Sequence, residues 1–116
     1  MNQSDFDQLK CDIQVIDEQH GNLISLLELY ELHHDDALFE VLENEWNTHA
    51  ITEEILMCNA DYPKFVDHMA QHHGVIPELV GLLKLGDINR CKEIVIAHII
   101  TWDKPMANWL KSQQGI

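Results

Sequence analysis

His49 and Glu53 stand four residues apart, as do His68 and His72, and His20, His98 and Asp103 complete a set of five histidines and two carboxylates. Residues four apart in a helix lie about 40° apart around it and roughly 6 Å along it, so each pair points one way. Imidazole nitrogens and carboxylate oxygens gathered in this way are metal ligands. The mixture suits Zn, Fe, Cu or Ni rather than Ca or Mg alone. Seven ligands are too many for one ion, whereas two ions sharing bridging carboxylates use them all. A bridging position also supplies the counter-charge that a buried carboxylate needs.

The separations between these groups indicate the elements that must position them. The midpoint between His20 and His49 falls at His34–Asp35, that between Glu53 and His68 at Ala60–Asp61, and that between His72 and His98 at Leu85. All three are turn-like: His33–His34–Asp35–Asp36, Asp61–Tyr62–Pro63 and Leu85–Gly86–Asp87. A chain that reverses there brings all seven side chains to one depth. Every long segment shows 3.6-residue periodicity and none sustains strand alternation. The expected fold is therefore all-α, an antiparallel up-down-up-down four-helix bundle whose facing helices build the site.

The first roughly 16 residues form an N-terminal arm in this reading, with Phe6, Leu9, Ile13 and Val15–Ile16 available to pack across the bundle. The first helix starts near Asp17–Glu18, acids that suit a helix N-terminus, and runs through Tyr30–Glu31. The second starts at Asp35 or Asp36 and ends near Asn59. Asp61 caps the third, with Pro63 in its first turn, and Gly86 ends it. Asp87 caps the fourth, which runs through Trp109–Leu110. Pro77 and Pro105 interrupt this pattern, since proline inside a helix normally kinks it. Gly74 and Pro77 imply a change of direction after His72. His98 and Asp103 are five residues apart, about 140° on an ideal helix, so a distortion near Pro105 would help Asp103 turn inward.

With 116 residues the chain is long enough for one domain with its own core, and 46% apolar residues suit a folded protein. Against 20 acidic residues stand only 7 basic ones, and the net charge of −13 argues against nucleic acid or an anionic membrane as partner. Met1–Lys10 contains no apolar core of a signal peptide, and no apolar stretch approaches the length of a membrane span, which points to a cytoplasmic location. Cys11, Cys58 and Cys91 follow no metal-like or redox spacing and read as reduced, buried small hydrophobes. Redox sensing by one of them is the weaker alternative.

The run Ile16–Asp17–Glu18–Gln19–His20, the HxxxE at His49, Tyr62–Pro63 ahead of the HxxxH at His68, and His98–Ile99 with HxxxxD reaching Asp103 together resemble the hemerythrin family, in particular its bacterial single-domain members. All seven ligand positions are filled between His20 and Asp103. The resemblance implies one domain over residues 1–116 with two iron ions (Fe2+/Fe3+), joined by an oxo or hydroxo bridge, that bind O2 reversibly. It also implies the division of ligands. His68, His72 and His98 hold one iron; His20 and His49 hold the other, which keeps an open position; Glu53 and Asp103 bridge the two. The function expected is O2 storage, delivery or sensing without chemistry of its own. The ligands support this, because five neutral imidazoles and two carboxylates stabilise high-valent iron less than the Glu-rich sites of ferritin-like oxidases do.

Two alternatives belong to other classes: a di-iron enzyme acting on peroxide or NO, and an iron- or zinc-handling protein, since Zn outranks Fe(II) for such ligands. The oligomeric state stays open with a monomer favoured, and neither an electron donor nor a signalling partner is visible in the sequence.

Two positions depart from many family members. Ala50 stands where an aromatic residue commonly follows the second histidine, and Ile94 where a Trp precedes the last by four. The O2 pocket is then wider or wetter, unless Trp46, Trp102 or Tyr30 refills it. The remaining candidates read as structural. His33 and His34 suit a helix C-terminus, and His73 must point away from the metals. Trp46, Trp102 and Trp109 read as core or interface anchors, and Glu40–Glu45 as a solvated face.

Overall fold

The computed structural model describes residues 7–114, and no strand occurs among them. Helix α1 spans Gln14–Leu32, α2 Asp36–Asn59, α3 Phe65–Lys84 and α4 Ile88–His98; a π-helical segment, Ile99–Asp103, continues directly into α5, Lys104–Gln114. The last three follow one another without a loop and form the fourth rod of an antiparallel four-helix bundle. No described helix is long and apolar enough to cross a membrane.

The loops between rods are set by local chemistry. Asp35 Oδ1 accepts from the Ala37 N–H at 2.7 Å and starts α2, and Asp87 Oδ1 accepts from the Arg90 N–H at 3.1 Å and starts α4. The other two helix ends share one motif. After α3, Gly86 sits at φ 78° while the N–H groups of Gly86 and Asp87 bond the carbonyls of Leu83 and Leu82. After α2, Asp61 takes the same left-handed place at φ 55°, and the N–H groups of Asp61 and Tyr62 bond the carbonyls of Cys58 and Met57.

Asp61 therefore ends α2 and does not cap α3, as the sequence suggested. The chain turns through Tyr62–Lys64, and α3 starts at Phe65 without a side-chain cap. The start of α1 differs too: it begins at Gln14, ahead of Asp17. Asp17 reaches backward, accepting from the N–H of Cys11 at 2.7 Å and of Asp12 at 3.0 Å. Its carboxylate fastens the arm, which Lys104 also ties by donating from Nζ to the Gln8 carbonyl at 2.7 Å. Leu9 and Cys11 are buried, and Phe6 lies outside the described residues.

Along each rod the buried residues recur at helical spacing, as on α2 with Leu42, Trp46, His49, Ala50, Glu53 and Met57. They form two apolar clusters with a polar layer between. The first cluster takes Leu23 and Leu27 from α1, Trp46 from α2, Val75 and Leu79 from α3 and Val95 from α4. The second takes Ile16, Met57, Tyr62, Met106 and Leu110. On every rod the candidate ligands fall between the two.

The two prolines behave differently. Pro77 lies in α3, which continues as one helix from Phe65 to Lys84 and does not end after His72. Pro77 is exposed, so the His73 carbonyl that lacks its N–H partner is open to water. Pro105 is the second residue of α5, one past Lys104, whose N–H closes the π segment by bonding the Ile99 carbonyl five residues back.

Candidate metal centre

The π segment brings the last carboxylate into the site. In an α-helix the five-residue step from His98 to Asp103 would turn the two side chains well apart. One π turn instead spans five residues, and both side chains point to the same centre, with His98 Nε2 3.0 Å from Asp103 Oδ1. The other ligands need no such device. Regular α-helix delivers His20 from α1, His49 with Glu53 from α2, and His68 with His72 from α3.

All seven side chains converge, in two overlapping groups: Glu53, His68, His72, His98 and Asp103, and His20, His49, Glu53 and Asp103. Both carboxylates belong to both groups, one oxygen to each. Glu53 Oε1 lies 3.0 Å from His72 Nε2 and 3.3 Å from His68 Nε2, while its Oε2 lies 3.2 Å from His49 Nε2. Asp103 Oδ1 lies 3.0 Å from His68 Nε2, and its Oδ2 lies 2.8 Å from His20 Nε2 and 3.4 Å from His49 Nε2. Glu53, His68 and Asp103 are completely buried, and His20, His49 and His72 nearly so.

These separations fit metal ions better than hydrogen bonds. Donors about 2.1 Å from one ion and at right angles to each other stand about 3 Å apart. Two ring nitrogens, His20 Nε2 and His49 Nε2, face each other at 3.1 Å, where only one at a time can donate. Glu53 Oε2 and His98 Nε2 are buried without a hydrogen bond despite their short distances to neighbours.

Without an ion the group holds itself by charge. Burial opposes a protonated His49, but the Glu53 charge and close contacts with Asp103 and Glu53 outweigh it and raise its pKa to about 10. Burial likewise opposes protonation of His68, and bonds to Asp103 and Glu53 lift it to about 9. Burial and the Asp103 charge push Glu53 up, yet His49 and His68 bring it down to about 2. Asp103 is held well below the usual carboxylate range, against burial, by the close imidazoles of His20, His49, His68 and His98.

Two ring nitrogens on the outer side of the site have partners. His72 Nδ1 meets Glu54 Oε2 at 3.0 Å. His49 Nδ1 meets Gln19 Oε1 at 2.9 Å, and Gln19 Nε2 donates to Thr52 Oγ1 at 2.9 Å. Such contacts fix ring orientation and tautomer at metal sites. Sequence reasoning gave Gln19, Thr52 and Glu54 no role. The signal was adjacency to a ligand: Gln19 precedes His20, and Thr52 and Glu54 flank Glu53.

A small cavity of about 30 Å3 opens on the site, lined by His20, His49, His72 and His98 and by apolar residues that include Trp46, Ala50 and Val95. It is room for a water molecule or a diatomic gas. Trp46, one turn before Ala50 on the same face of α2, lines the cavity beside it. Trp102 packs elsewhere, against the His68 ring at 5.6 Å, and Tyr30 stacks on His34 at 5.1 Å. Trp109 rests on Tyr62 at 5.2 Å. Ile94 does not line the cavity.

His33, His34 and His73 are exposed and take no part in the site. The cysteines split, with Cys11 and Cys91 buried but Cys58 exposed on the outer face of α2. A third donor group, Cys11, Asp17 and His20, borders the site. Burial, then the charges of Asp103, Asp17 and Glu53, raises the Cys11 thiol to about 12, so it stays protonated. Asp17 is engaged with backbone, and the group packs as structure.

No family model matches this chain, and no solved structure matches it. It is 30% identical over 91 residues to hemerythrin subunit 2 of Golfingia vulgaris, an alignment covering 77% of this chain and 76% of that one. With that identity across most of both sequences, and a buried cluster of histidines and carboxylates at the centre of a four-helix bundle, the chain belongs to the hemerythrin family.

Proposed function

We propose that the chain binds O2 reversibly at a non-haem di-iron centre, and that its role is to bind the gas without catalysing a reaction. In this reading His68, His72 and His98 hold one iron, His20 and His49 the other, and Glu53 and Asp103 bridge them. The observation that carries it is the shared pair of carboxylates, each offering one oxygen to each histidine set. Two ferrous ions held by these residues would supply the electrons for reversible O2 binding.

The residues of the chain do the rest. The His20–His49 set has one imidazole fewer than its neighbour, which leaves room for an external ligand beside the cavity. The apolar wall of Leu23, Trp46, Val75, Leu79 and Val95 keeps bulk water and charged molecules away. A cavity of about 30 Å3 has no space for an organic substrate, which favours a binding protein over an oxidase of such substrates. The Glu53 and Asp103 charges offset part of the positive charge of two ions within the buried layer.

The test is metal analysis with visible absorption of the ferrous protein, prepared without air, exposed to O2 and then degassed. Two irons per chain and an absorption band that appears with O2 and disappears on degassing support the carrier. One zinc per chain, or irreversible oxidation with turnover of peroxide or NO, overturns it.

A further inference from the structure

The buried cavity and a groove on the surface share a wall. The groove, of about 240 Å3, runs along the outside of α3, α4 and the π segment and is lined by Gln71, Ile94, Ala97 and Trp102 among others. Two side chains line both spaces, Val75 and His98. Other lining residues, Leu23, Trp46, Leu79 and Val95 among them, belong to the apolar cluster and do not reach the groove. A single layer, one valine and one imidazole thick, therefore separates the site from solvent here.

We propose that this wall is the access route for small neutral ligands, with Val75 as its gate. The inference rests on the reading that a diatomic ligand must reach the centre. His98 is held in place by its role as a ligand, so Val75, 8% exposed, is the part free to move. Its backbone is also poorly braced. Gly74 precedes it, and Pro77 has no N–H to give the His73 carbonyl, so the α3 turn carrying Val75 lacks one helical hydrogen bond.

The position of Ile94 now has a meaning. It lines the groove and not the cavity, so an isoleucine there clears the outer approach without enlarging the pocket. The rim also selects. Glu78 and Glu93 face the groove with Arg90, whose guanidinium already pairs with Glu93 at 3.1 Å. A net negative mouth over an apolar neck passes O2 or NO more readily than an anion.

Trp46, buried against the cavity, reports passage directly, because O2 quenches indole fluorescence on encounter. The experiment uses zinc-loaded protein, whose metal has no redox chemistry, carrying Trp102→Phe and Trp109→Phe so that Trp46 alone emits. Val75→Ala is expected to raise the O2 quenching rate constant by roughly fivefold, equivalent to about 1 kcal/mol off the barrier. Leu79→Ala, which enlarges the same cavity on a wall facing the core, is expected to leave it unchanged. Ile94→Phe, which narrows the groove from outside, is expected to slow quenching, and iodide is expected not to quench Trp46. Equal effects of Val75→Ala and Leu79→Ala, or no effect of either Val75→Ala or Ile94→Phe, would overturn the route. Because no iron is involved, the outcome is independent of whether O2 binds the loaded centre reversibly.

Discussion

The two histidine sets are built to different standards of regularity. The α1–α2 side presents His20 and His49 from unbroken α-helix, and its outer contact, His49 Nδ1 to Gln19, is to a neutral amide. The α3–α4 side presents His68, His72 and His98 from rods that contain Pro77 and a π segment, and its outer contact, His72 Nδ1 to Glu54, is to a carboxylate. An anionic acceptor makes the imidazole a stronger donor to the metal than an amide does. On the proposed ligand division the three-histidine side would be the firmer metal holder and the two-histidine side has fewer donors, while the cavity touches both through His20, His49, His72 and His98. Firm holding and the open position would then fall to opposite halves of one buried layer.

The strongest way to break this division is to remove what joins the halves. Asp103 touches His20 and His49 through one oxygen and His68 and His98 through the other. Asp103→Asn is expected to abolish binding of two ions per chain, as read by metal analysis. It should also destabilise the metal-free protein by about 3–5 kcal/mol, since protonated histidines lose a buried partner. Retention of two tightly bound ions would show that Glu53 alone suffices to bridge.

A pH series on metal-free protein probes both halves together, because His49 belongs to one and His68 to the other. Their pKa values, raised to about 10 and about 9 from 6.5, stabilise the fold fully below about pH 6.5. That contribution is lost as pH rises through 9 and 10. Glu53 and Asp103, both lowered, stabilise it above about pH 4.5, a contribution lost as pH falls toward 2. Thermal melts in chelator should therefore peak between about pH 4.5 and 6.5. Metal needs neutral imidazoles, so the gap between loaded and metal-free melting temperatures should widen with pH. A metal-free melting temperature that does not fall between pH 6.5 and 9 would contradict the assignment.

The smallest effect sharpens the comparison of outer contacts. Glu54→Gln is expected to weaken metal binding about 10- to 100-fold at the three-histidine side. Gln19→Leu should cost less, since it removes a neutral acceptor. Cobalt titrations followed by visible absorption would rank the two, and equal losses would remove the distinction between the halves.

Much of this was legible in the sequence because helical periodicity is local. His49 with Glu53 and His68 with His72 follow from i,i+4 spacing, and the turns at Asp35, Gly86 and Asp87 from their own chemistry. Asp61 was harder, because a left-handed helix end and a helix cap favour the same short polar residue. The start of α1 was misplaced for a related reason: acids near a helix N-terminus also reach back to loop amides, as Asp17 does. Asp103 could be suspected but not placed, since the π turn depends on how Pro105 is accommodated. Trp46 as a wall of the cavity and Glu54 as the partner of His72 depend on packing between helices, which spacing within one helix does not encode.

The central claim is that one buried layer holds two ions between shared carboxylates. Anomalous diffraction at the iron edge, on crystals of the iron-loaded chain, tests it most directly. The account predicts two iron peaks, one among His68, His72 and His98 and one beside His20 and His49, with Glu53 and Asp103 touching both. A single peak, or two peaks with either carboxylate bound to only one, would contradict it.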